Sequence, residues 1–206
     1  MFSALVLAAG ESARMGTPKA LLPLGRGTFL SVICGRLAAA GADELVVVLG
    51  AHAEAVRDAG VIPRARIVVN EAYRDGQLSS LQCGLRSLSP AAGAALVTLV
   101  DHPLIEASTY RGLRDAGGKA PDLIFVAEYG GRGGHPVVFP RAVFDELFAA
   151  PRDGGARAVV RKDPSRVRRV PFDDPGIVAD IDTPEDYEQI KRIFSPRRHE
   201  GHEERG

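Results

Sequence analysis

Short apolar runs punctuate this chain at intervals too wide for hairpins and wide enough for helices, and this spacing constrains the fold more than any other feature. Ala4 to Leu7, Leu45 to Leu49, Ala94 to Val100 and Leu123 to Ala127 are near-continuous apolar stretches, as a strand buried on both faces requires. Arg66 to Val69 and Val167 to Pro171 add shorter strands. Between them lie segments of helical period. One is apolar-faced from an N-capping Thr28 through Ala40 and is stopped by Gly41. Others cover His52 to Ala59, a stretch whose apolar face includes Leu81, Leu85 and Leu88, and Glu106 to Ala116. Alternating strand and helix predicts a mostly parallel sheet wrapped on both faces.

The first strand empties into a glycine loop, Leu5 to Lys19, reading LVLAAGESARMGTPK. Gly10 and Gly16 let backbone N–H groups approach a ligand closely, and Arg14 and Lys19 put positive charge where phosphates would sit. Two familiar phosphate loops are excluded by counting. Five residues separate Gly10 from Gly16, and Thr17 follows, so this is not a Walker-type loop. Ser12 stands where a dinucleotide fingerprint has its second glycine.

At 206 residues the chain reads as one domain over residues 1–194, with a charged tail, 195–206, expected to be disordered. Lys plus Arg and Asp plus Glu both number 26, so no global field draws it to nucleic acid or to an anionic membrane. A local site for a small anion is favoured. Cys34 and Cys83 lack metal-ligand spacing and read as packing residues. Without a secretory pattern or a long apolar segment, cytoplasmic residence is the expectation.

Four further stretches carry candidate chemistry. In Asn70 to Leu81, Gly76 makes a tight turn and Ser79 or Ser80 can cap a helix, whose N-terminus would also suit an anion or a base edge. Asp101-His102-Pro103 follows a buried strand, where doubly wound sheets place ligands. Asp101 reads either as a helix cap or as a hard oxygen ligand for Mg²⁺. Tyr129 to Phe139, with four glycines, Arg132 and His135, breaks the alternation and predicts a loop. Near the end, Asp182 or Thr183 can N-cap a helix with Pro184 in its first turn. Arg141 to Phe148 is amphipathic, and a helix is expected from Asp153 to about Lys162. The cations Arg161, Lys162, Arg166, Arg168 and Arg169 read mostly as a solvated face, with one or two able to steer a phosphate.

Taken together, these motifs resemble the MobA/MocA-like nucleotidyltransferases, the molybdenum-cofactor guanylyl- and cytidylyltransferases. Ala9, Gly10, Ser12, Arg14, Met15, Gly16 and Lys19 match their (A/G)G-x-S-x-R-M-G-x-x-K loop, and D-I-D-T-P-E-D from Asp180 to Asp186 matches their C-terminal motif. The resemblance covers about Ala4 to Ile193. It implies a three-layer α/β/α fold, a mostly parallel Rossmann-like sheet of the nucleotide-diphospho-sugar transferase type. It also implies an NTP held by Leu7, Ala8, Ala9, Gly10, Ser12, Arg14, Met15, Gly16 and Lys19, with Asn70, Gly76, Ser79 and Ser80 around base and ribose. Asp101 and Asp182 become the metal ligands for Mg²⁺ or Mn²⁺, with Asp180 in reserve. His135, in a Gly-His-Pro element, and Arg157, with Asp153, face the second substrate. Arg152 departs from the family's glycine.

The implied reaction is nucleotidyl transfer, with Arg14, Lys19 and Asp101 as its catalytic residues and pyrophosphate as the leaving group. Relatives using CTP carry Ala-Ala-Gly in the loop, as Ala8, Ala9 and Gly10 do, whereas those using GTP usually carry Leu-Ala-Gly-Gly. The Ala9 side chain would narrow the space near the base and favour a pyrimidine. The expected reaction moves CMP from CTP to the phosphate of molybdopterin, giving molybdopterin cytosine dinucleotide, with a molybdenum hydroxylase as a downstream partner. Two alternatives stay open: guanylyl or other nucleotidyl transfer to a different phosphorylated acceptor, and a non-catalytic protein that binds the molybdenum cofactor.

Overall fold

The computed structural model describes residues 1–60, 62 and 64–194; the tail expectation for 195–206 lies outside them. β1 (Phe2–Ala8), β2 (Pro23–Leu24), β3 (Gly27–Thr28), β4 (Glu44–Leu49) and β5 (Arg66–Val69) precede β6 (Ala94–Leu99), β7 (Ile124–Tyr129), β8 (Arg132–Pro140) and β9 (Val167–Pro171). The longer helices are α1 (Phe29–Ala39), α2 (Ala53–Asp58), α3 (Gln77–Ser87), α4 (Ala107–Lys119), α5 (Phe144–Phe148), α6 (Gly155–Lys162) and α7 (Pro184–Phe194).

Seven strands form one sheet in the order β5-β4-β1-β6-β8-β7-β9, while β2 and β3 pair separately. β1 runs parallel to both β4 and β6, with Leu7 opposite Val48 on one side and Leu99 on the other. Alternate residues of β1 point to opposite faces, as the pleat dictates. Ala4 and Val6 join Leu30 and Ile33 of α1 and Leu113 of α4 in one core layer. Leu5 and Leu7 join Leu81 and Leu85 of α3, Leu147 of α5 and Val159 of α6 in the other. The three-layer α/β/α architecture is thus the expected one.

The Tyr129–Phe139 segment corrects the loop expectation. It is a hairpin in which β8 runs antiparallel to both β6 and β7. Gly130 and Gly131, at φ 54° and 78°, form its two-residue turn, the left-handed geometry that matches strand twist. Gly134 is required for a different reason: a Cβ there would sit 2.1 Å from the Ile177 carbonyl oxygen.

α3 also departs from expectation. It starts at Gln77 after Gly76, and neither Ser79 nor Ser80 caps it. Their hydroxyls instead accept from the Asn70 side-chain amide at 2.9 and 3.0 Å. Cys34 and Cys83 are free thiols packed in α1 and α3, and burial pushes the Cys34 thiol up to about 12.

Candidate active site

β1 lies where connections leave the sheet in opposite directions, so the loops after β1 and β6 meet at adjacent carboxyl ends, the usual ligand position of such sheets. The loop after β1 is closed by Ser12, which adopts a left-handed φ of 51°. Its carbonyl accepts from the Met15 N–H at 2.9 Å and its Oγ accepts from the Lys19 N–H at 3.1 Å. Gly16, at φ 63°, completes the turn. Met15 points down into an apolar cluster with Leu22, Phe29 and Ile181. From outside, His52 Nε2 donates to the Glu11 carbonyl at 2.8 Å, and Arg74 pairs with the Glu11 carboxylate at 3.2 Å.

This loop bounds a cavity of about 400 Å³. Leu7, Ala8, Ala9, Gly10, Ser12, Arg14, Lys19, Gly76, Ser80, Asp101 and Asp182 line it, which brings together most of the residues named from sequence. Met15, Gly16, Asn70 and Ser79 do not line it. Met15 and Gly16 shape the loop, and Asn70 braces the turn before α3 by accepting from the Ala72 N–H at 3.1 Å. His52, Val56, Tyr73 and Gln77, which no sequence motif singles out as site residues, also line it.

Two carboxylates and a lysine converge inside. Lys19 Nζ donates to Asp182 Oδ1 and lies 3.7 Å from Asp101 Oδ2; its side chain is only 11% exposed. Arg14, far more exposed, reaches Asp182 Oδ2 at 3.1 Å. The hydrogen bond from Lys19, with the charges of Lys19 and Arg14, holds the Asp182 carboxyl below the usual carboxylate range. Asp101 moves the other way. Burial raises it, against the opposing pull of His102 and Lys19. Its Oδ1 is buried without a hydrogen-bond partner among the described residues.

Asp182 is free to face the cavity because Thr183 caps α7. Asp186 Oδ2 accepts from the Asp182 and Thr183 N–H groups at 3.1 and 2.8 Å, and Thr183 Oγ1 accepts from the Asp186 N–H at 3.2 Å. The Ile181 N–H donates to the Asp101 carbonyl at 2.8 Å, which docks this segment beside β6. Asp180 lies on the other side, in a second cavity.

That second cavity, about 750 Å³, opens next to the first, and Leu7, Gly76, Gln77, Leu99 and Asp101 line both. His135, Arg157, Asp153 and Asp180 line it as well, together with Arg161 and Arg169. Arg152 is tied to Asp75 at 2.8 Å. Arg166, grouped with the solvated cations from sequence, is instead a structural residue, pairing with Glu146 at 2.5 Å.

An orphaned buried carboxylate oxygen on Asp101, with the Asp182 oxygens on the same cavity, is a donor set that fits a hard divalent cation completed by phosphate and water oxygens. No helix among the described residues is long and apolar enough to cross a membrane.

Residues 4–168 match the family described as the MobA-like NTP transferase domain. Nicotine blue oxidoreductase of Paenarthrobacter nicotinovorans is 32% identical, aligning 92% of this chain with 95% of that protein. The crystal structure of Rv0371c from Mycobacterium tuberculosis H37Rv superposes with a TM-score of 0.83 at 34% identity, covering 93% of this chain and 97% of that one. A manganese complex of Rv0371c superposes at 0.75 and 32% identity, over 92% and 97% of the two chains. With its glycine loop, its converging carboxylates and a family match over most of its length, the chain belongs to the MobA-like NTP transferase domain family and is a nucleotidyltransferase.

Proposed function

We propose that the chain transfers CMP from CTP to the phosphate of molybdopterin, releasing pyrophosphate and giving molybdopterin cytosine dinucleotide. The observation that carries this reading is that Asp101 lines both cavities, so one side chain borders the nucleotide and the acceptor at once. The first cavity takes the triphosphate. Backbone N–H groups around Gly10 face its phosphates, and Arg14 and Lys19 offset their charge. Asp101 and Asp182 would hold Mg²⁺ or Mn²⁺, which when bound supplies positive charge to the phosphate oxygens.

An oxygen of the acceptor phosphate attacks the α-phosphorus. The new P–O bond forms as the bond to the β-phosphate breaks, and the electron pair leaves with pyrophosphate. Lys19, largely withdrawn from water, is placed to stabilise that leaving charge. No side-chain nucleophile is needed. The choice of CTP rests on Ala9, a buried residue of the cavity wall whose side chain, where glycine would leave more room, would favour the smaller pyrimidine.

The test is thermal unfolding with CTP, GTP, ATP and UTP in excess Mg²⁺, followed by turnover with molybdenum-loaded molybdopterin and mass analysis of the product. A ligand at 100 times its dissociation constant adds about 2.7 kcal/mol of stability, a clear shift at this size. Stabilisation by CTP above the others and a product heavier than the acceptor by CMP support the reading. A GTP preference, or transfer only to another phosphorylated acceptor, replaces it.

A further inference from the structure

His52 follows β4 and Asp101 follows β6, and β1 runs between those two strands, so the two residues enter the first cavity from opposite sides of β1. Two strand spacings set them roughly 10 Å apart. Asp101, Asp182, Lys19 and Arg14 gather at the phosphate end, which leaves His52, Val56 and Tyr73 to face the base. Gly50 lets Tyr73 close this end: a Cβ there would lie 2.7 Å from Tyr73 Cβ and 2.5 Å from the Ala9 carbonyl oxygen. His52 is the residue before α2, yet its side chain does not cap that helix. Its Nε2 meets the Glu11 carbonyl at 2.8 Å. A carbonyl can only accept, so the proton sits on Nε2 and the lone pair on Nδ1. Nδ1 has no hydrogen-bond partner among the described residues, and the half-buried ring leaves it accessible.

The neighbouring polar side chains do not select in the same way. The Tyr73 hydroxyl and the Gln77 amide can each donate or accept, and the Glu11 carboxylate is taken up by Arg74 at 3.2 Å. We infer that His52 Nδ1 is a specificity-determining acceptor that reads the amino group at C4 of cytosine and rejects the carbonyl that uracil carries there. A lone pair accepts from an N–H and repels a carbonyl oxygen, and the bond from Nε2 to Glu11 keeps the ring from turning to offer its donor instead. The inference rests on the nucleotidyl-transfer reading of the first cavity and divides its base choice in two. Ala9 sorts by size, and His52 sorts amino from keto. ATP has the amino group without the size, UTP the size without the amino group, and GTP neither. Of the four, CTP alone passes both.

The experiment measures Kd for CTP and UTP by calorimetry, with Mg²⁺ at pH 8, in the full chain and in its His52→Leu and His52→Phe variants, with thermal unfolding confirming that each folds. The wild type should bind CTP at least about tenfold more tightly than UTP, as one hydrogen bond gained and one repulsion avoided imply. In both variants that ratio should fall to near unity. Loss of the Glu11 tether alone would loosen the loop for both nucleotides alike and leave the ratio untouched, so the ratio separates base reading from a structural role. A third probe needs no variant: the triphosphate of 2-pyrimidinone riboside, which lacks the C4 amino group, should lose most of the advantage of CTP in the wild type. A wild-type ratio near unity, a wild-type ratio retained in either folded variant, or a pyrimidinone analogue as tight as CTP overturns the inference. The underlying reading is tested apart from it. CMP transfer to molybdopterin with an unchanged ratio in the variants rejects His52 alone, whereas a purine triphosphate bound above CTP rejects the size argument from Ala9 and leaves the CTP-to-UTP ratio to decide the role of His52.

Discussion

Lys19 and Asp182, 163 residues apart in sequence, are joined side chain to side chain in the wall of the 400 Å³ cavity. The pair joins a cation to a carboxylate that Arg14 also reaches at 3.1 Å. Under the proposed reaction, in which Lys19 meets phosphates and Asp182 a metal, both would exchange partners on binding.

Lys19→Met removes the cation shared by Asp182 and Asp101. It should lower kcat by roughly 10²- to 10³-fold, the loss typical of one positioned charge at a developing anion. Steady-state release of pyrophosphate, with both kcat and KM for the nucleotide, measures it. A rise in KM at unchanged kcat would assign Lys19 to ground-state binding alone.

Asp101→Asn should separate binding from folding. Burial raises this carboxyl, so its charge is held at a cost that a neutral isostere removes, and the metal-free variant should melt no lower than the wild type at pH 7. Mn²⁺ affinity, read by electron paramagnetic resonance in the presence of nucleotide, should fall at least about tenfold. A lower melting temperature with unchanged Mn²⁺ affinity would make Asp101 a structural residue.

Two glycines should respond unequally to the same exchange. A Cβ at Gly134 meets the Ile177 carbonyl oxygen at 2.1 Å and Leu-like repacking cannot relieve a backbone clash, so Gly134→Ala should cost about 1–3 kcal/mol in urea unfolding, or more. A Cβ at Gly10 meets nothing within 4 Å, so Gly10→Ala should leave stability nearly unchanged. Any loss of nucleotide affinity in Gly10→Ala then reports how closely the phosphates approach the loop backbone.

Glu146 gives the protein an acid-sensitive brace. Hydrogen bonds from Arg166 and then Lys162 lower its carboxyl from 4.5 to about 2. A depressed folded-state value stabilises the fold above the unfolded-state value, and that stability is lost as pH falls from about 4.5 towards 2. Glu146→Gln should flatten the stability profile in that window and lower stability at neutral pH. Chemical denaturation at a series of pH values checks both.

The central strands and the phosphate loop were legible because each depends on neighbours in sequence: unbroken apolar runs for β1, β4 and β6, and paired glycines with fixed cations for the loop. β8 was not, because its glycines look like flexibility. In the structure they serve a left-handed turn at Gly130 and Gly131 and a close approach at Gly134, and the adjacent Gly-Gly pair between two apolar runs was the readable sign of a hairpin. Ser79 and Ser80 suggested a cap by local chemistry, yet their hydroxyls are engaged by Asn70 from the end of β5. His52 and Tyr73 reach the cavity from separate elements, and no local pattern marks them.

The place of Asp101 in the walls of both cavities has a thermodynamic corollary. Whatever binds on one side changes the electrostatic environment met on the other, and among the five residues common to both walls Asp101 is the ionisable one through which that change passes. Linkage is reciprocal: the factor by which nucleotide alters acceptor affinity must equal the factor by which acceptor alters nucleotide affinity. Exchanging that one side chain should therefore change the cooperativity measured from either direction by the same factor.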